Sequence, residues 1–112
     1  MISKDNAEHY VWGSDCEGWH LVKTPDLSVI HERMPPGRSE VRHHHARARQ
    51  LFFVISGQLT IILDERSETL GPGQALEIAP GDIHLVANRC GTAVEFLVIS
   101  QPTTHGDRIE TS

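Results

Sequence analysis

Three imidazoles and one amide, His43, His45, Gln50 and His84, are spaced in this chain as the donors of a metal site would be. Residues two apart on an extended strand share a face, so His43 and His45 point one way and His44 the other. His44 is accordingly expected at solvent or at a subunit contact. Gln50 follows across the four residues Ala46 to Arg49, close enough for a hairpin partner to return a third donor to the same spot. His84 arrives from a distant segment, just after Pro80-Gly81. Neutral imidazoles with an uncharged amide oxygen suit Zn, Ni, Fe, Co or Cu, and they disfavour Mg and Ca, which want carboxylates. Such an ion polarises a carbonyl or carboxylate oxygen and acidifies a bound water or a neighbouring C–H.

The elements that must position these donors read as strands. Apolar residues recur with period two or in short runs, and Gly, Pro and Asp punctuate them. Strands are expected near Trp19 to Lys23, Leu27 to Met34, Val41 to His45, Gln50 to Ser56, Gln58 to Asp64, Glu68 to Leu70, Gln74 to Ile78, Asp82 to Asn88 and Thr92 to Ser100. Their turns carry Pro35-Pro36-Gly37, Ser56-Gly57, Gly71-Pro72-Gly73, Pro80-Gly81 and Cys90-Gly91, the residue types that tight reversals need. One short helical turn is expected before Trp12. Many short strands at near-regular spacing predict an all-β sandwich or closed barrel. Leu51 to Ile55, Leu59 to Leu63 and Val94 to Ile99 are apolar at nearly every position, as strands covered on both faces are.

The donors sit within two longer patterns. The first runs Gly37, five residues, His43, one, His45, four, Gln50, six, Gly57; the second runs Gly73, five, Ala79, one, Gly81, two, His84, three, Asn88. Together they resemble the two signature motifs of the cupin superfamily. The resemblance implies a double-stranded β-helix, or jelly-roll, barrel over 19–100, with an N-terminal segment 1–18 packing on the barrel or a partner and a polar tail 101–112. It also implies a metal at His43, His45, Gln50 and His84. Gln50 stands where the family usually has glutamate, which removes a negative charge from the site, and Ala79 stands where it usually has proline. Gly37, Gly57, Gly73 and Gly81 are expected to supply positive φ.

Around the donors, Glu32, Arg49 and Asn88 are candidates to orient a small-molecule ligand or move its protons, with His31 and Arg33 beside them; for Asn88 the other reading, an amide tying off the strand end through backbone hydrogen bonds, is preferred. Strand alternation allows only one of His31 and Glu32 to point inward. Tyr10, Trp12 and Trp19 are assigned to packing. The resemblance leaves three functions open: Lewis-acid chemistry on a small acid or sugar-like metabolite, an iron- or copper-dependent dioxygenase, or a non-catalytic binding or sensor module. The analogy reaches the fold and says little about substrate.

Length and charge set the outer bounds. With 112 residues there is material for one core. Ten basic against 15 acidic side chains, net charge -5, argue against phosphate-backbone binding, so no nucleic-acid partner is expected. The opening residues Met1 to His9 lack a signal-like apolar stretch, and no segment is apolar for long enough to span a bilayer. No membrane partner is expected, and cytoplasmic residence is the default. Cys16 and Cys90 are expected as free thiols. The outer face of a barrel this small needs covering, by its own terminal segments or a second subunit, so a homodimer is expected.

Overall fold

A computed structural model describes residues 1–111 of the chain. Eleven strands follow one another: β1 (Glu8–Trp12), β2 (Cys16–Lys23), β3 (Ser28–Met34), β4 (His43–His45), β5 (Arg49–Ser56), β6 (Leu59–Leu63), β7 (Ser67–Leu70), β8 (Ala75–Ile78), β9 (His84–Ala87), β10 (Val94–Gln101) and β11 (Arg108–Glu110). Among the described residues there is no α-helix, and none long and apolar enough to cross a membrane. The strands form two antiparallel sheets, ordered β1-β2-β3-β10-β5-β8 and β11-β4-β9-β6-β7. This is the all-β architecture that the strand grammar predicted and the jelly roll that the cupin resemblance implied.

Alternation along β10 shows why the sheets face each other. Val94, Phe96, Val98 and Ser100 are buried, whereas Glu95, Leu97 and Ile99 between them are half-buried on the outer face. The inward set meets Met34, Phe52, Val54, Leu59, Ile61 and Val86 in one core. Truncating a side chain such as Phe96 there would cost about 3–5 kcal/mol, the transfer term plus an unfilled cavity.

The turn at Ser56-Gly57 enforces the crossing from the first sheet to the second. Gly57 has φ +81°, and a Cβ there would stand 2.6 Å from the carbonyl oxygen of Ala93. Only glycine meets both conditions. Gly37, Gly73 and Gly81 likewise have positive φ, as their turns predicted.

Three segments differ from the sequence expectation. The turn expected before Trp12 is present, Ser3 O accepting from Asn6 N (3.2 Å) and Ala7 N (2.9 Å), but it is followed by an edge strand, Glu8–Trp12, that was not expected. Tyr10 and Trp12 on one face are half-buried, and the exposed apolar Val11 between them breaks the period-two signature. Arg108–Glu110, within the polar tail, pairs with β4 as a second edge strand. The third difference is at Asp107, which is buried and accepts hydrogen bonds from the backbone N–H groups of Arg47 (3.0 Å) and Ala48 (2.9 Å). That carboxylate ties the tail to the loop between His45 and Gln50.

Candidate metal centre

His43 and His84 face each other directly, because β4 and β9 pair antiparallel with these two residues opposite. His45 joins them from the same face of β4. The ring centroids lie 4.5 Å apart for His43 and His84, 5.0 Å for His43 and His45, and 5.9 Å for His45 and His84. Potential ligand atoms of all three lie within 4.8 Å of one another, and the three residues are buried. Three histidines in this arrangement could bind one metal ion.

Hydrogen bonds select the tautomers that leave lone pairs free. Nδ1 of His43 donates to the carbonyl oxygen of Val41 at 2.7 Å, and Nδ1 of His84 donates to that of Asp82 at 2.9 Å. Each Nε2 is then an acceptor without a proton. His84 Nε2 is buried and has no hydrogen-bond partner among the described residues. Burial, the largest influence on all three rings, pushes His43 and His45 down to about 4 and lowers His84 as well. At neutral pH the cluster is uncharged and ready to coordinate. A backbone hydrogen bond from Gly81 N to His45 O (2.8 Å) fixes the Pro80-Gly81 turn against β4, which sets where β9 enters.

Gln50 comes from the opposite sheet. It is buried opposite Ser100 in the β5–β10 register, and its Nε2 donates to Ser100 Oγ at 3.2 Å. Its Oε1 has no partner among the described residues although it is buried. An orphaned amide oxygen and an orphaned imidazole nitrogen fit a divalent ion as their missing partner.

Between the sheets lies a cavity of about 220 Å³, lined by His43, His45 and Gln50 together with Tyr10, Glu32, Glu40 and Arg108. Apolar walls come from Ile30, Phe52 and Val98. Of the pair His31 and Glu32, it is Glu32 that points inward; His31 turns outward to Glu95 Oε1 at 2.7 Å. Burial, with the Glu40 carboxyl nearby, raises Glu32 to about 8, and burial raises Glu40 to about 7 against the pull of Arg108.

Neither Arg49 nor Asn88 reaches the site, and Asn88 ties off the strand end as its preferred reading had it. Arg49 is exposed and pairs with Glu77 (3.2 Å), because its position on β5 alternates with that of Gln50. Asn88 is buried but structural: its Nδ2 donates to the carbonyls of Met34 (2.9 Å) and Thr92 (2.8 Å), and its Oδ1 accepts from Cys90 N (2.9 Å). Tyr10, assigned to packing from the sequence, lines the cavity instead. Glu40 and Arg108 were missed altogether. Their only sequence signal was charge, which solvated loops and tails carry equally well. Cys16 and Cys90 are both free.

A jelly roll with three clustered histidines, two of them lining a cavity between its sheets, defines a cupin with a potential metal centre. The family model of the cupin domain matches residues 30–100, and the chain belongs to that family. Its fold is shared with KdgF from Halomonas sp., at 18% identity and a TM-score of 0.85 over 95% of this chain and 97% of that one. The polyketide cyclase RemF from Streptomyces resistomycificus also has 18% identity and a TM-score of 0.85, over 100% of this chain and 84% of that one. A sugar phosphate isomerase of the cupin superfamily from Silicibacter pomeroyi follows, with 20% identity and a TM-score of 0.80 over 92% and 76%. No curated protein matches the chain in sequence.

Proposed function

We propose that the chain is a metal-dependent small-molecule protein in which His43, His45, Gln50 and His84 hold one divalent transition ion for Lewis-acid chemistry on a small acid or sugar-like metabolite. Zinc, nickel, iron, cobalt and copper all suit this donor set. The observation that carries the reading is the pair of orphaned donors, His84 Nε2 and Gln50 Oε1, buried without partners among the described residues. Leaving such a group unsatisfied costs about 1–3 kcal/mol, which coordination would remove.

A divalent ion bound there supplies a positive centre that polarises a carbonyl or carboxylate oxygen. The chain's own groups do the remaining work. Arg108 offers a guanidinium to a ligand carboxylate, a pairing its planar fork favours. Burial keeps Glu32 and Glu40 largely neutral near pH 7, so they do not repel an anionic ligand as two carboxylates would, while the ionised fraction of Glu32 is a strong base. Phe52, Ile30 and Val98 exclude water around them.

Elemental analysis of protein purified without a nickel column tests this reading. About one zinc, nickel or cobalt per chain supports it. Iron or copper with oxygen uptake supports a dioxygenase instead, and metal-free protein that takes up none of these ions on titration overturns metal binding.

A homodimer is part of the same proposal. Ile99 lies opposite both Val29 and Leu51 on the outer face of the six-stranded sheet, with Leu97 opposite Phe53. Phe53 and Ile55 are exposed there. Light scattering should give about twice 12.5 kDa, and Phe53→Lys should return the protein to a monomer. A monomeric wild type would contradict the pairing.

A further inference from the structure

The inner face of the six-stranded sheet holds a row of residues that the histidine cluster does not account for. Tyr10 on β1 lies opposite Gly18 on β2, and Gly18 lies opposite Glu32 on β3. Gly18 contributes no side chain, and the Tyr10 ring occupies the space above it: a Cβ at position 18 would stand 2.3 Å from Tyr10 Cζ. By crossing that gap the ring spans an entire strand. Its hydroxyl then donates to Glu32 Oε1 at 3.1 Å.

An aromatic ring over a glycine is ordinarily a packing device. Here its polar end meets a buried carboxyl in the wall of the same cavity that His43, His45 and Gln50 line. The groups around Glu32 come from separate elements: Tyr10 from β1, Glu40 from the connection after β3, and Arg108 from β11, with Phe96 its apolar neighbour on β10. Oε1 is held by Tyr10, and Oε2 has no hydrogen-bond partner among the described residues. One oxygen is fixed and the other is left for a ligand, as a proton-transfer group requires.

We propose that Glu32 is the catalytic acid–base group of this cavity, acting on the carbon next to the carbonyl of a small 2-oxo acid, and that Tyr10, carried across Gly18, is its positioning residue. The proposal rests on the reading of the cavity as a metal-dependent site. In the step, the Glu32 carboxylate takes the proton from that carbon. The C–H electron pair becomes the carbon–carbon π bond of an enolate, whose oxygen gains the negative charge, and Glu32 becomes neutral. Return of the proton, to the same carbon or to a neighbouring oxygen, restores the carboxylate. Nothing is oxidised or reduced. A 2-oxo acid fits because its carboxylate can meet Arg108 while its carbonyl faces the histidines, within a cavity sized for a few carbons.

Tyr10 is the one tyrosine in the sequence, so tyrosine labelled with 13C at Cζ gives a single resonance. In metal-free protein that resonance should move as pH passes through about 8, and Glu32→Gln should abolish the step. Gly18→Ala should displace the resonance at every pH. A wild-type resonance that stays flat across this range would overturn the pairing.

The chemistry is read from exchange of pyruvate methyl protons with D2O by zinc- or nickel-loaded protein. Wild type should exchange them faster than the free ion does. Glu32→Gln should lose about a hundredfold or more with metal content unchanged, and Tyr10→Phe should lose less while shifting the acid limb of the pH profile. Loaded wild type without exchange, or full exchange by Glu32→Gln, overturns the proposal. Failure to bind metal would overturn the reading beneath it and the proposal too, and metal content alone tells these failures apart.

Discussion

Replacing Glu32 by glutamine should make the metal-free protein markedly less sensitive to alkali. The carboxyl of Glu32 is raised from 4.5 to about 8, chiefly by burial, so the folded state holds a proton that the unfolded chain releases near 4.5. Its stabilising contribution is complete below that unfolded value and is lost as pH rises through about 8, at about 1.4 kcal/mol per pH unit. His43 and His45 act in the opposite sense. Burial lowers them from 6.5 to about 4, so their contribution is complete above 6.5 and is lost on acidification toward 4. Between about 4.5 and 6.5 the imidazoles, His84 among them, oppose the two carboxyls, and above 6.5 the carboxyls act alone. From pH 6.5 to 8 the Glu32 proton therefore accounts for about 2 kcal/mol, and Glu40, raised to about 7, adds under about 1 kcal/mol. Urea unfolding followed by tryptophan fluorescence, with a chelator present, measures this directly. Wild type should lose about 2–3 kcal/mol across that interval and Glu32→Gln under about 1. Equal losses in the two proteins would refute the assignment of the buried proton to Glu32.

Other outcomes follow from the same geometry. Metal at a hundredfold excess over its Kd should stabilise wild type by about 2.7 kcal/mol, a rise in Tm of about 10 °C for a chain this long; His84→Ala should abolish the rise in a thermal melt. Gln50→Glu should tighten metal binding at least about tenfold in a competition titration, because a carboxylate adds a negative charge where Oε1 now lies; weaker binding would place position 50 out of reach of the ion. Gly57→Ala should cost about 1–2 kcal/mol or more in urea unfolding, since φ +81° and the Ala93 carbonyl at 2.6 Å both oppose a side chain.

The parts of this molecule that were legible in its sequence are those governed by local period. Strand alternation placed His43 and His45 on one face, the short loop Ala46 to Arg49 returned Gln50, and the Pro80-Gly81 turn located the entry of His84. The same alternation decided between His31 and Glu32 only once the register of β3 was known. Tyr10 and Arg108 were hidden for a different reason. They lie on edge strands, Glu8–Trp12 and Arg108–Glu110, that are exposed along much of their length and so lack an apolar rhythm. Their role depends on pairing with strands far away in sequence. The Tyr10–Glu32 contact further depends on an empty position at Gly18, which reads in sequence only as a glycine in a strand. Arg49 and Asn88 show the converse. Both lie near motif residues, yet one alternates outward to Glu77 and the other closes a loop through three backbone contacts.

The most direct test of the central claim is X-ray absorption at the metal edge of protein loaded with one equivalent of zinc. Three imidazoles around a common ion predict a nitrogen and oxygen shell at about 2.0–2.1 Å with outer-shell scattering from about three histidine rings, falling to about two in His84→Ala. A shell without imidazole scattering, or one unchanged by that substitution, would contradict it.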